Sequence, residues 1–323
     1  MDSREKILFE QTPVTKAVVA LVVPTVISQL ITVLYNIADT FFIGQTGDPN
    51  QVAAANICMP IFIFLNGIAN LFGIGGASLI SRSLGKGDRE KATQTSAFCT
   101  WTTAAVSLLF GIVIYLLRPV IMTAFGANEG TYEFCRQYIF WTIAIGAIPT
   151  VMNVVFAHLV RSQGYSKQAS FGMILGAVLN IVLDPIFIIA LNMQIAGAAL
   201  ATMLSNLSAM IYFIVLILRF RKRGQTILTL NPRFYTIKNR IPSEVFLVGL
   251  PSTLMSLMAT ASNATLNRLM STYSNEAIAG VGIAKKIDML AFGIATGMSQ
   301  GVVPLIGYNY SSKNYDRMKK AIR

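Results

Sequence analysis

The chain has 323 residues, 54% of them hydrophobic and only 12% charged, about half the charged share usual in a soluble domain, and its mean hydropathy is +0.59. A soluble globule of this length has too little interior to hide so much apolar surface, so the expected solvent is lipid. A net charge of +12 would suggest nucleic acid in a soluble protein, but here Lys and Arg fall between apolar runs and no nucleic-acid partner is expected.

The first stretch, Met1 to Lys16, carries Asp2, Glu5 and Glu10 and no apolar core, so it is not expected to be a cleavable signal peptide. Eight apolar runs of about 20 residues or more follow, over 16–44, 52–82, 92–117, 132–160, 168–191, 196–219, 243–271 and 278–308, and a further helix begins near Met318. The expected fold is all-α, a polytopic membrane helix bundle. Most of the 26 basic residues collect on one side: near the N-terminus, at 82–91, at Arg161 and Lys167, at 219–240 and at 313–323. The positive-inside rule then places the N-terminus and the 220–242 loop in the cytoplasm of a multi-pass plasma-membrane protein.

Three acids lie within spans: Asp39, Asp184 and Asp288. A carboxylate in hydrocarbon is costly and is a functional candidate by default. Asp39 in span 1, Asp184 in span 5 and Thr202 in span 6 fall at similar depth in the outer half of the membrane. Asn180 is one turn from Asp184, and Tyr35 one turn from Asp39, on the same helix faces. Carboxyls withdrawn from water and set near each other take up protons readily, so this group is a candidate to carry H+ or to offer oxygen ligands to Na+. The plainer reading is that Asp39 ends its helix and Asp184 merely precedes Pro185 at a kink. Tyr138 has the right depth to contact a carboxyl or a ligand. Asn153 lies nearer the cytoplasm and reaches the site only if span 4 bends.

Asp288 follows Lys285 at ion-pair spacing on one helix face, either a polar patch on a cavity wall or a neutralised pair at the outer interface. Pro24, Pro60, Pro149, Pro251 and Pro304 can bend their spans. Gly293, Gly297 and Gly301, like Ala69, Gly73, Ala77 and Ser81, form small-residue faces suited to close helix packing. Cys58, Cys99 and Cys135 show no disulfide or metal spacing, and the lone His158 is expected at the membrane interface, with a proton relay as the alternative. "GIGGAS" (Gly73–Ser78) lies inside a span and is no phosphate loop, so nothing points to an enzyme.

The first two spans echo the last two. Pro24 and Asn36 match Pro251 and Asn263, Val52–Ile57 matches Ile278–Ile283, Gly67 and Gly75 match Gly293 and Gly301, and Gly85–Lys91 matches Ser311–Arg317, all at an offset of about 226 residues. Six spans separate the copies, so both enter the membrane in the same direction, as in a parallel repeat of two halves. The expected organisation is an N-lobe of six spans over 1–220, a cytoplasmic inter-lobe loop over 221–242 and a partial C-lobe over 243–323. Two spans against six imply that about four helices of the second half are missing from the sequence.

The stretches "LYNIADTFFIG", "SRSLGKGDREKA", "LVRSQGYSKQA", "LNIVLDPIFI", "AGAALATMLSN" and "GVVPLIGYNYSSKNYDRMK" together resemble the multidrug and toxic compound extrusion (MATE) family, in its MepA-type and DinF-like branch. The resemblance covers essentially the whole chain. It implies a two-lobe fold with parallel six-helix repeats, here with a truncated C-lobe, and secondary active, H+- or Na+-coupled efflux of bulky amphipathic or cationic compounds by alternating access. It implies cation-coupling roles for Asp39, Asn180, Asp184 and Thr202, with Asp39 and Asp184 as the metal ligands if the ion is Na+, and a weaker carry-over to Asn153. Tyr35 and Tyr138 are expected to contact substrate. No cofactor is expected beyond the coupling ion, and the partners are small amphipathic substrates and the bilayer, with the protein a monomer. Some Na+-coupled members carry a glutamate eight residues after the proline of span 7; that place is Ala259 here, so a C-lobe cation site of that kind is not expected. The competing functions are a lipid-linked oligosaccharide flippase, which would favour a cavity lined with Arg, and a non-transporting scaffold or channel subunit.

Overall fold

In a computed structural model, residues 6–270 and 275–322 are described, with their side chains except at 260, 263, 264, 267, 268, 270 and 275–287. The helices are α1 (Val14–Gly44), α2 (Pro49–Gly85), α3 (Arg89–Ala124), α4 (Glu129–Ile139), α5 (Ala147–Arg161), α6 (Ser166–Pro185), α7 (Gln194–Lys222), α8 (Ile241–Met270), α9 (Asn275–Ser311) and α10 (Tyr315–Ile322). No strand occurs among the described residues. Seven helices are long and apolar enough to cross a membrane, and α4 with α5 makes an eighth, broken span. The apolar runs thus mark real helices, each reaching a few residues beyond its run at one end or both.

Local chemistry sets those ends. The Asp48 carboxylate accepts from the Asn50 amide at 2.9 Å and Asp88 from the Lys91 amide at 2.9 Å, so α2 and α3 begin on side-chain caps. Asn128 and Thr131 form a reciprocal capping box at the start of α4. Gly87, at φ +78°, makes the left-handed turn that ends α2.

Span 4, read in the sequence as one helix over 132–160, is broken. A π-helical turn, Phe140–Ile145, follows α4, and the chain bends by 51° before α5. Pro149 has no N–H to offer the Ile145 carbonyl, so the ladder cannot run through this point. The turn also needs Gly146, where a Cβ would stand 2.6 Å from the Thr142 carbonyl oxygen.

α2 lies at the centre, against α3, α5 and α8, while α1 packs on α6 and α9, and α6 on α7. Under the sequence offset α1 corresponds to α8 and α2 to α9, so the α1–α9 and α2–α8 pairings are two images of one contact. Glycine makes both close. A Cβ at Gly297 or Gly301 would lie 2.6 or 2.8 Å from the Cα of Val26 or Val22, and one at Gly249 only 2.0 Å from the Leu71 carbonyl oxygen. On the other small-residue face, Ala69, Ala77 and Ser81 are buried, and the Ser81 hydroxyl donates to the Ser162 carbonyl at 3.2 Å.

The side bearing the basic loops is tied across both pairings. Lys91 Nζ is 2.7 Å and Arg82 Nη1 3.8 Å from the Glu244 carboxylate at the start of α8. At the positions equivalent to Arg82 and Lys91, the Tyr308 hydroxyl donates to Glu10 at 2.8 Å and Arg317 Nε to the Phe9 carbonyl at 2.5 Å. The 223–241 segment is strapped to the bundle: Gln163 Oε1 accepts from the Thr226 hydroxyl and the Ile227 amide, and Ser96 Oγ accepts from the Thr229 amide.

Candidate ion and substrate site

Residues at i and i+4 on a helix share a face. On α6 this puts Asn180 directly below Asp184, with Asn180 Nδ2 3.3 Å from Asp184 Oδ1. The same nitrogen is 3.3 Å from Thr202 Oγ1 on α7, so one amide joins two helices. On α1 the same spacing aligns Tyr35 and Asp39. Asp184 and Asn180 are buried, Asp39 partly so. Asp39 is close enough to Asp184 for the two charges to act on each other, and Tyr35 and Tyr138 lie within electrostatic range of both.

Three oxygens here are shielded from solvent and have no hydrogen-bond partner: Asp39 Oδ1, Asp184 Oδ2 and Asn180 Oδ1. Buried acceptors left unmatched cost free energy. A proton or a hard cation would match them, since two carboxylates, an amide oxygen and a hydroxyl are the donors such cations take.

Below this group a cavity of about 240 Å³ opens between α1, α2, α5, α6, α7 and α9. Tyr35, Asn180 and Thr202 line one end, Asn153 and Asn206 the middle, and His158, Arg161 and Gln300 the other. The 51° bend brings Asn153 to the cavity wall, where its amide donates to Asn206 Oδ1 at 2.7 Å; Asn206 in turn donates to Thr150 Oγ1 at 3.0 Å. Asn153 therefore faces the cavity but belongs to a separate hydrogen-bonded set from Asp184.

Tyr138 does not line the cavity: it is buried and its ring packs on Phe62, 5.8 Å between centroids. Its place is beside the carboxylates, not the open space. His158 is buried against Gly73, where a Cβ would stand 2.8 Å from the imidazole, and faces the cavity. Arg161, counted in the sequence among loop cations, is likewise buried and lines the cavity. Gln29, Gln300 and Asn206 were missed altogether. The available signal was the stripe Thr150, Asn153, Ala157, Arg161, spaced by three or four residues on one face of span 4. Asp288 is exposed on α9, while the side chains of Lys285 and Lys286 lie outside those described. Ala259 is exposed on α8.

The family model described as MatE matches residues 24–186 and 251–323. The multidrug export protein MepA of Staphylococcus aureus (strain MRSA252) is 31% identical over 323 residues, which is 100% of this chain and 70% of that protein. The MepA protein of Staphylococcus saprophyticus is 33% identical over 327 residues, with the same coverage. Among solved structures, a MATE protein in complex with MaD5 superposes with a TM-score of 0.91 at 27% identity, covering 99% of this chain and 72% of that one. An outward-facing multidrug resistance MATE family transporter of the MOP superfamily superposes with a TM-score of 0.89 at 28% identity, over 99% and 70%.

Proposed function

The chain belongs to the MATE family of multidrug efflux transporters, multi-pass membrane proteins, and on that premise we propose that it drives export of amphipathic compounds by loading H+ or Na+ at Asp39, Asn180, Asp184 and Thr202. The observation that carries this is the set of three buried, unpartnered oxygens on α1 and α6, which an entering cation neutralises. The basic loops support a cytoplasmic N-terminus for a protein of the cell membrane. The ties at Glu244 and Glu10 then hold the cytoplasmic side shut, leaving the cavity to serve the outer face. Residues 1–220 act as the lobe that contains the site, 221–242 as the link, and 243–323 as part of the opposing lobe. The protein works as a monomer, with Tyr35 in contact with substrate and Asn153 on the wall of the same cavity. Tyr138 supports the carboxylates. Loading the ion removes charge repulsion between Asp39 and Asp184 and so biases the packing of α1 against α6, the differential contact that alternating access requires.

The test is transport of ethidium in vesicles containing the protein, with H+ and Na+ gradients imposed separately. Movement driven by either gradient is the expected result; movement indifferent to both would remove the coupling proposal. A lipid-linked oligosaccharide flippase would want cationic walls throughout, whereas the end of this cavity nearest Asp39 and Asp184 is acidic.

A further inference from the structure

The far end of the cavity has the opposite character. Arg161 is 3% exposed, and its guanidinium cannot shed its charge in a protein. No carboxylate among the described residues pairs with it. Its Nη1 donates a 3.3 Å hydrogen bond to the side-chain oxygen Oε1 of Gln300, long for a charge-assisted bond. That oxygen is shared, since it also accepts from Gln29 Nε2 at 2.9 Å. Arg161 Nε is shielded from solvent and has no partner. His158, one turn away on the same face, presents an imidazole and no negative charge.

A buried cation without a counter-charge is expensive and is kept where a ligand completes it. Arg161 is on the wall of the 240 Å³ space, so the missing charge can arrive in that space. The fork geometry of guanidinium matches a planar carboxylate. From Gln29, which shares Gln300 with Arg161, to Asp39 is ten residues of α1, about 15 Å at 1.5 Å per residue. The cavity thus runs from an anionic end to a cationic one.

We propose that Arg161 receives the carboxylate of the cargo, so that this transporter selects zwitterionic amphiphiles, held with the acid at Arg161 and the amine towards Asp39, over cations alone. The inference rests on the reading of this cavity as the export site. It adds a specificity-determining residue at the end away from the coupling ion.

The test is equilibrium binding to the purified full chain of a matched dye pair, a rhodamine with a free carboxyl and its methyl ester, followed by fluorescence polarisation. The acid is expected to bind at least tenfold tighter than the ester. In Arg161→Gln that preference should collapse to about one. Arg161→Lys, which keeps the charge but not the fork, should retain part of it, and it serves if the Gln variant does not fold. Equal binding of the two dyes by the unaltered protein, or a preference untouched in both variants, would overturn the assignment. Binding needs no ion gradient, so a preference seen in protein that moves neither dye leaves Arg161 as the carboxylate receptor and removes only the export reading.

Discussion

Asn180 Nδ2 stands 3.3 Å from Asp184 Oδ1, one turn along α6, and that contact leaves Asp184 Oδ2 and Asn180 Oδ1 buried and unmatched. In the proposed function an entering proton or cation fills that deficit, and Asp39 on α1, within electrostatic range of Asp184, adds the second carboxylate.

Asp39→Asn and Asp184→Asn keep the shape of each side chain and remove its charge. Each should abolish dye efflux driven by an imposed H+ or Na+ gradient while leaving expression at the unaltered level. Efflux assays in cells, normalised to protein on immunoblots, check this. Full efflux in both variants would end the ion-coupling proposal.

Thr202→Val deletes the hydroxyl that accepts from Asn180 across the α6–α7 interface. Losing one such hydrogen bond costs about 1 kcal/mol of stability. Ion affinity should suffer more, by about tenfold, because Asn180 is then free to turn its oxygen away. Thermal unfolding in detergent gives the first quantity and ion dependence of efflux the second.

The two helix pairings predict a contrast among glycines. In Gly249→Ala the new methyl would meet the Leu71 backbone oxygen at 2.0 Å, which no side-chain movement relieves, and roughly 1–3 kcal/mol of destabilisation is expected. In Gly293→Ala it meets only a methyl of Val33 at 3.3 Å, and the melting temperature should scarcely move.

Glu244→Gln removes the charge that Lys91 and Arg82 hold. Partly exposed pairs of this kind are worth at most about 1 kcal/mol, enough to raise the population open on that side about fivefold. A cysteine placed at Ser81, which faces Gly307 of α9, should react faster with a maleimide in the Glu244→Gln background. The natural Cys58, Cys99 and Cys135 are buried and stay silent. An unchanged rate would show that the tie does not hold the closed side.

The bundle was legible because lipid enforces it: a long apolar run has no alternative to a helix. The duplicated motifs likewise survived translation into α1, α2, α8 and α9. The polar group around Asp184 could be found since an acid in hydrocarbon stands out. Arg161 could not be found that way. Near a helix end, a basic residue reads as interfacial whichever direction its side chain takes, and only the packing of α5 against α2 turns it inward. The inward turn of His158 was hidden for the same reason. The break at Gly146 was half visible: Pro149 announced a bend, but its size depends on a glycine with no signal of its own.

The two sets of charges differ in their access to water. The Lys91 and Glu244 side chains are 23% and 29% exposed, whereas Asp184 is sealed. Dissolved electrolyte screens the first set over roughly 8 Å at physiological strength and barely reaches the second. Ionic strength therefore acts on how firmly the Lys91–Glu244 tie is fastened, and leaves the charges around Asp184 almost unscreened.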